Sequence, residues 1–222
     1  MTNIGPVARE GSFYILGVIH RRKNSRAVIA NRLIAIRPHI ITLEFSRYGL
    51  AFRKEKGPAY KLKIDELVAK MRQQEEELKE EALSLLYAYI DPPDEYESAS
   101  HYCEESGASM YLLDMDFFSY MKLRRIDELF SEENMKTMLR AYDGRAGDNE
   151  RTMARLSFES GTQIVPYTEE MLIRDKHMSD KIALLMRAHP AQCFAHITGW
   201  QHLRDPYGLY ARLNPVKVLL DD

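Results

Sequence analysis

Two histidines stand at matching places in the chain, and their spacing suits acid–base or metal chemistry. In FYILGVIH (13–20) and FAHITGWQH (194–202), an apolar run is followed by glycine, two further residues and a histidine, His20 or His202. Glycine lets a chain turn tightly as it leaves a strand, so the pattern predicts a histidine just beyond each strand end. One such histidine alone is more often a packed or capping residue, but the second copy favours a shared site.

Acidic residues follow two other predicted strands. Glu44 ends the segment HIITLE, and Asp114 follows MYLL. The carboxyl ends of parallel strands meet at one edge of a sheet, and in open parallel sheets this edge is where ligands bind. If the strands are parallel, His20, Glu44, Asp114 and His202 therefore share one edge.

These residue types suit two chemistries, and their spacing does not choose between them. A histidine beside a carboxylate can act as a general base whose tautomer the acid fixes. Alternatively, His20, Glu44 and His202 could hold a divalent metal ion that activates water. The sequence has no HExxH pair, GxSxG elbow, P-loop or GxGxxG pattern, which argues against a zincin-type site, a serine nucleophile and nucleotide phosphate binding.

The elements that must position these residues alternate along the chain. Apolar runs predict five strands, with helices between them. The predicted strands are Phe13–Gly17, His39–Glu44, Ser109–Asp116, a segment within Gln192–His202, and Pro215–Leu220. Near-continuous apolar strands that alternate with helices are typical of an α/β fold with a mostly parallel central sheet flanked by helices.

The helical segments fit this arrangement. A long helical stretch over Ala59–Ile90 lies within a predicted helical insertion, residues 51–107, of a single domain that spans residues 1–222. A later helix is expected over Thr168–His189, where Thr168 is a suitable N-cap. We therefore expect one α/β domain to which helices are added in the middle of the chain.

Composition excludes several classes of partner and setting. The 222 residues carry a formal net charge of −2, with 45% hydrophobic and 29% charged residues, which favours a globular protein and argues against a nucleic-acid or membrane partner. No apolar run approaches the roughly 18 residues of a membrane span. The two cysteines cannot form a disulfide framework, so a reducing, cytoplasmic setting is predicted. The oligomeric state is left open, and a homo-oligomer is one option.

Five short motifs in a fixed order resemble the TraB/PrgY/Tiki family, part of the wider superfamily that includes erythromycin esterase and ChaN-like proteins. They are GVIH (17–20), ITLEFSRY (41–48), LLDMDFFSYMKLRR (112–125), IRDKHMSDKI (173–182) and GWQH (199–202). The order spans most of the chain. Ile173 and Met115 stand where the family pattern has glutamate and arginine.

This resemblance implies a hydrolase of peptide or ester bonds, with a divalent metal in some branches of the family. It implies that His20 is the general base or a metal ligand, that Glu44 orients or charge-balances it, and that His202 is a second acid–base group or ligand. Arg47 and Arg174 are implied as functional residues, and a fixed guanidinium such as that of Arg174 can bind the anionic part of a substrate or transition state.

Asp114 and Asp175 are expected to support the site. Asp114 would contribute to substrate binding at the edge of the sheet. Asp175 follows Arg174 on a helix and therefore points about 100° away from it, so we expect it to anchor a neighbouring element. The rival interpretation is a non-catalytic protein that binds or sequesters a peptide or small molecule in the same cleft.

Overall fold

The chain divides into two compact units. In the sheet unit lie Met1–Phe45, Asp94–Met115 and Asp148–Asp222, and in the helical unit lie Ser46–Pro93 and Asp116–Gly147. The structure is a computed structural model that describes residues 11–19, 24–74, 78–141, 146–161 and 164–221. None of the helices in this described part combines the length and the apolar character that a membrane span requires.

Five strands form the centre of the sheet unit. They are β1 (Phe13–Val18), β2 (Ile40–Leu43), β3 (Ser109–Leu112), β4 (Phe194–Gly199) and β5 (Val216–Leu220). Their order in the sheet is β3-β2-β4-β1-β5, and every neighbouring pair is parallel. The predicted α/β fold with a parallel central sheet is confirmed.

Helices cover both faces of this sheet. The sheet unit contains α1 (Ser25–Ile36), α4 (Asp94–Ser106), most of α8 (Ala146–Ser160) and α9 (Glu169–Ala188), with 3-10 helices at Trp200–Arg204 and Ala211–Leu213. Alternate residues of β1 point to opposite sides, as the period of a strand requires. Leu16 packs with Leu33 of α1, and Ile15 packs with Met178 of α9. Both faces are therefore apolar, which explains the near-continuous apolar strands.

The helical unit is built from α2 (Arg47–Gln73), α3 (Glu80–Ile90), α5 (Asp116–Leu123), α6 (Ile126–Leu129) and α7 (Glu132–Ala141). Its core includes Tyr60, Ile64 and Leu67 on one stripe of α2, together with Leu86 and Phe130. These positions follow the period of a helix, so one face of α2 is buried.

The structure changes the predicted helix over Ala59–Ile90. Two helices replace it, because α2 ends at Gln73 and α3 begins after Lys79. The first helix also starts earlier, at the cap residue Ser46, and contains Pro58 in its interior. Its buried stripe continues past the proline, and this packing outweighs the local cost of proline in a helix.

The segment predicted as an insertion, residues 51–107, is shared between the two units. Its residues up to Pro93 belong to the helical unit, whereas α4 belongs to the sheet unit. There Ala99 of α4 is buried in the same cluster as Leu33 of α1. The single domain over residues 1–222 stays a prediction.

Glycine is required at position 17 because a larger side chain would not fit there. The sequence pattern predicts a different reason, a tight turn at the end of the strand. Gly17 lies inside β1, and a Cβ at this position would come within 2.4 Å of Leu203 Cδ1 and 3.1 Å of Trp200 Cα. Gly199 has φ −60° and ψ 144°, an ordinary extended conformation. Neither glycine makes a left-handed turn. Gly17 instead lets the 3-10 helix after β4 pack directly on β1.

Candidate functional site

Glu44 is the centre of a buried group of charged side chains at the carboxyl edge of the sheet. It directly follows β2, and its backbone N–H donates to Ile197 O at 2.9 Å. Its Oε1 accepts from Arg174 Nη2 at 2.6 Å and lies 3.0 Å from His202 Nε2. Its Oε2 accepts from Gly199 N at 2.8 Å and from the neighbouring Thr198 hydroxyl. Both carboxylate oxygens therefore face protein donors.

The surroundings of Glu44 keep it ionised. Burial alone would raise the pKa of this carboxyl. The positive charges of His202 and Arg174 and the hydrogen bond from Thr198 outweigh burial and hold the pKa of Glu44 well below its usual range. Glu44 is therefore an anion at neutral pH.

Arg174, on the second turn of α9, joins two strand ends. Its Nε donates to Asp114 Oδ1 at 2.9 Å and its Nη2 to Asp114 Oδ2 at 2.8 Å, while the same Nη2 reaches Glu44. This paired contact matches the planar fork of a guanidinium to a carboxylate. Its Nη1 lies 3.5 Å from Glu170, one turn earlier on α9, and the Arg174 side chain is 12% exposed. Although burial acts to lower the pKa of Arg174, Glu44 and Asp114 raise it.

His202, in the 3-10 helix after β4, has a carboxylate at each ring nitrogen. Its Nδ1 lies 2.6 Å from Asp175 Oδ1, and its Nε2 lies 3.0 Å from Glu44 Oε1. Burial would lower the pKa of this imidazole, but Glu44 and Asp175 raise it to about 10. Both carboxylates therefore favour the protonated form of the imidazole.

Asp175 is fully buried and binds the segment that follows β4. Its Oδ1 accepts from the Tyr210 hydroxyl at 3.0 Å as well as facing His202, and its Oδ2 accepts from the Tyr167 hydroxyl. Asp175 thus anchors a neighbouring element, as its 100° offset from Arg174 on α9 leads one to expect. Sequence reasoning missed Thr198, Tyr167 and Tyr210. Only Thr198 had a signal, since it precedes Gly199 in the second GxxH motif.

The structure brings together four of the residues predicted from the sequence: Glu44, Asp114, Arg174 and His202. His20 lies outside the described residues. The described strand β1 ends at Val18, which pairs with Gly199. Arg47 is the exposed first residue of α2 in the helical unit, and its role in substrate binding stays a prediction.

The described residues do not fit a divalent metal. A metal-bound histidine must present a nitrogen lone pair to the metal. Each ring nitrogen of His202 instead faces a carboxylate, to which an N–H group can donate. Glu44 already accepts from four protein groups. In the described ranges, no group of three or more histidine, cysteine, aspartate or glutamate side chains could hold a metal ion. The candidate set His20, Glu44 and His202 therefore finds no support in the two members that are described.

The opposite, amino-terminal edge of the sheet has a different character. An open depression of about 660 Å³ lies there, and residues at the ends of α1, α4 and α9 contribute to its lining. Among the lining residues are Arg37, His39, Tyr102 and His189. The carboxyl-terminal ends of helices carry partial negative charge, which basic side chains at the C-caps of α1 and α9, Arg37 and His189, complement. The basic residues of this edge thus have a structural explanation.

Comparison of the chain with protein-family models, with curated proteins and with solved structures found no match.

Proposed function

We propose that this chain is a TraB-like hydrolase of peptide or ester bonds, with its site at the carboxyl edge of the parallel sheet. The observation that carries the proposal is the meeting of Glu44, Arg174 and His202, from three distant segments, in one buried group. Burial of so many charges is costly, and strongly perturbed ionisable groups concentrate at functional sites. The carboxyl edge of a parallel sheet is also where ligands bind.

In this proposal His20 is the general base. It takes the proton from a water molecule as that water attacks the substrate carbonyl, and it returns the proton to the leaving group. The role comes from the GxxH resemblance and from the path of β1, which ends beside Gly199, a donor to Glu44.

Arg174 supplies positive charge for the substrate. Its Nη1 has the longest of the guanidinium's ionic contacts, 3.5 Å to Glu170, and the Glu170 side chain is 36% exposed. An anionic substrate group or a developing oxyanion takes this position when the Glu170 side chain turns away. Asp114 holds the rest of the guanidinium in place through its paired hydrogen bonds.

The test is a hydrolase screen of the full chain. Wild type, His20→Ala and His101→Ala are assayed on p-nitrophenyl esters and on fluorogenic peptides, with and without a chelator. His101 is a matched control because its side chain is 70% exposed, on α4. We expect turnover by wild type and His101→Ala, and a loss of about 100-fold or more in His20→Ala with an unchanged circular dichroism melt. Equal turnover in folded His20→Ala, or no turnover by wild type, would overturn the proposal.

The second candidate is a protein that binds a peptide or small molecule without turnover. One observation favours it: Glu44 and His202 already have protein partners at all their side-chain polar atoms. A binding protein would show ligand-dependent thermal stabilisation with the same peptides and no product. Stabilisation accompanied by product formation would select the hydrolase.

A further inference from the structure

His202 has a hydrogen-bonding arrangement that a neutral histidine cannot satisfy. A neutral imidazole donates from one nitrogen and accepts at the other. Here Nδ1 lies 2.6 Å from Asp175 and Nε2 lies 3.0 Å from Glu44. A neutral ring would place a lone pair against a buried carboxylate at one of these positions. A doubly protonated ring donates to both.

The two carboxylates are in turn held as acceptors by other donors. Glu44 accepts from Arg174, Thr198 and Gly199. Asp175, with no exposed surface, accepts from the hydroxyls of Tyr210 and Tyr167. Donors of this kind stabilise the ionised form of a carboxyl group. A proton moved from His202 to either carboxylate would therefore oppose these bonds.

A turn that begins at Asp205 positions the hydroxyl of Tyr210. Asp205 adopts φ 47°, and its carboxylate accepts from the backbone N–H groups of Leu209, Tyr210 and Ala211 at 2.6, 3.0 and 2.8 Å. The buried Tyr210 ring stacks on His196, with ring centroids 5.6 Å apart. Burial and Asp175 raise the pKa of Tyr210, so its hydroxyl remains a donor.

We propose that Asp175, Tyr167 and Tyr210 are positioning residues that keep His202 doubly protonated, so that His202 is a fixed positive charge on Glu44 and not a proton acceptor or metal ligand. The inference rests on the proposed function for its catalytic meaning. The two GxxH histidines then differ in role: His20 transfers the proton, and His202 sets the charge of the group around Glu44. This assignment departs from the sequence expectation, which gave His202 a second acid–base or ligand role.

The protonation state of His202 in the wild-type protein tests the assignment. Long-range proton–nitrogen NMR of the ¹⁵N-histidine-labelled full chain distinguishes a doubly protonated ring from each neutral tautomer, and the His202 signal is assigned by its loss in His202→Gln. Between pH 6 and 9, we expect both nitrogens of His202 to remain protonated. A neutral His202 tautomer at pH 7 would overturn the proposal.

A variant separates positioning by Asp175 from general burial. Asp175→Asn keeps the shape and removes the charge, so we expect the pKa of His202 to fall by about one to three pH units. Asp180→Asn is the matched control, because Asp180 lies on the same helix with its side chain 51% exposed. An unchanged His202 titration in folded Asp175→Asn would contradict the proposal, and if this variant does not fold, the wild-type spectrum still decides.

These readouts do not depend on turnover. A doubly protonated His202 in a protein that hydrolyses nothing would leave the positioning assignment standing and remove the proposed function. A neutral His202 in an active hydrolase would remove the positioning assignment and leave the proposed function standing.

Discussion

The two edges of the sheet carry charged residues in opposite ways. At the carboxyl edge, the largely enclosed side chains of Glu44 and Asp175 each contact the buried His202. At the amino-terminal edge, Arg37 and His39 are exposed around an open depression of about 660 Å³. An open concavity and the group of buried charges therefore lie at opposite ends of the strands, so a search by cavity leads to a different edge from a search by buried charge.

The contribution of a charged side chain to the free energy of unfolding should therefore differ between the two edges. A surface ion pair contributes little, because water screens it and its side chains lose freedom. Removing one partner from a buried pair leaves an uncompensated charge without water around it. We therefore expect the same type of substitution to have a large effect at the carboxyl edge and a small effect at the amino-terminal edge.

The largest difference should come from the two arginines. Arg174→Met removes the guanidinium that binds Glu44 and Asp114, and we expect the free energy of unfolding to fall by about 3–5 kcal/mol. Arg37→Asn is the control at the other edge, since asparagine tolerates the φ of 53° found at Arg37, and its effect should stay within about 0.5 kcal/mol. Urea denaturation measures both. Similar losses in the two variants would erase the distinction between the edges.

The pH dependence of stability should reveal His202. Its folded-state pKa of about 10 exceeds the unfolded value near 6.5, so its contribution is fully present below pH 6.5 and is lost as pH rises through 10. We expect the free energy of unfolding of wild type to lose about 3 kcal/mol more than that of His202→Gln between pH 7 and 10.

The exposed His39 provides the comparison for this pH effect. His39→Gln at the amino-terminal edge should follow the wild-type curve in parallel, because this variant leaves the group around Glu44 unchanged. Parallel curves for wild type and His202→Gln across that range would mean that His202 is not charged in the folded state.

The smallest of the three effects concerns packing. Gly17→Ala forces a Cβ to within 2.4 Å of Leu203 Cδ1, and we expect it to destabilise the protein by about 1–3 kcal/mol. Gly107→Asn, at the amino-terminal edge, should cost less, because no atom of the described residues lies within 4 Å of a Cβ placed there. Asparagine also tolerates the φ of 73° at this position. Thermal unfolding of both variants checks the order. A larger loss in Gly107→Asn would show that the close contact at Gly17 is relaxed easily.

Parts of the fold could be predicted because their signals are local. The apolar strands and the cap residue Thr168, whose side chain accepts from Met171 N, can be identified without knowledge of the rest of the chain. The acidic residues after β2 and β3 follow from parallel strands, and the structure places Glu44 and Asp114 on the same guanidinium.

Other parts depend on long-range packing that no local pattern encodes. Tyr210 reaches Asp175 through a turn organised by the carboxylate of Asp205, 30 residues further along the chain than Asp175 itself. Nothing in the spacing of these residues indicates that contact. The protonation of His202 likewise depends on two carboxylates from separate elements. The GxxH motif alone could therefore indicate a histidine site without indicating which role the histidine has.

The adjacency of Arg174 and Asp175 on α9 has a consequence for how the fold chooses one arrangement. Successive residues of a helix point about 100° apart. If α9 rotated about its axis by one residue, the Asp175 carboxylate would move toward Glu44 and Asp114, and like charges would meet. The apolar stripe of α9, which includes Met178 and Ile182, packs in the same cluster as residues of the sheet. The opposite charges of these two neighbouring residues therefore favour the observed rotational setting of α9 over one that is turned by a residue.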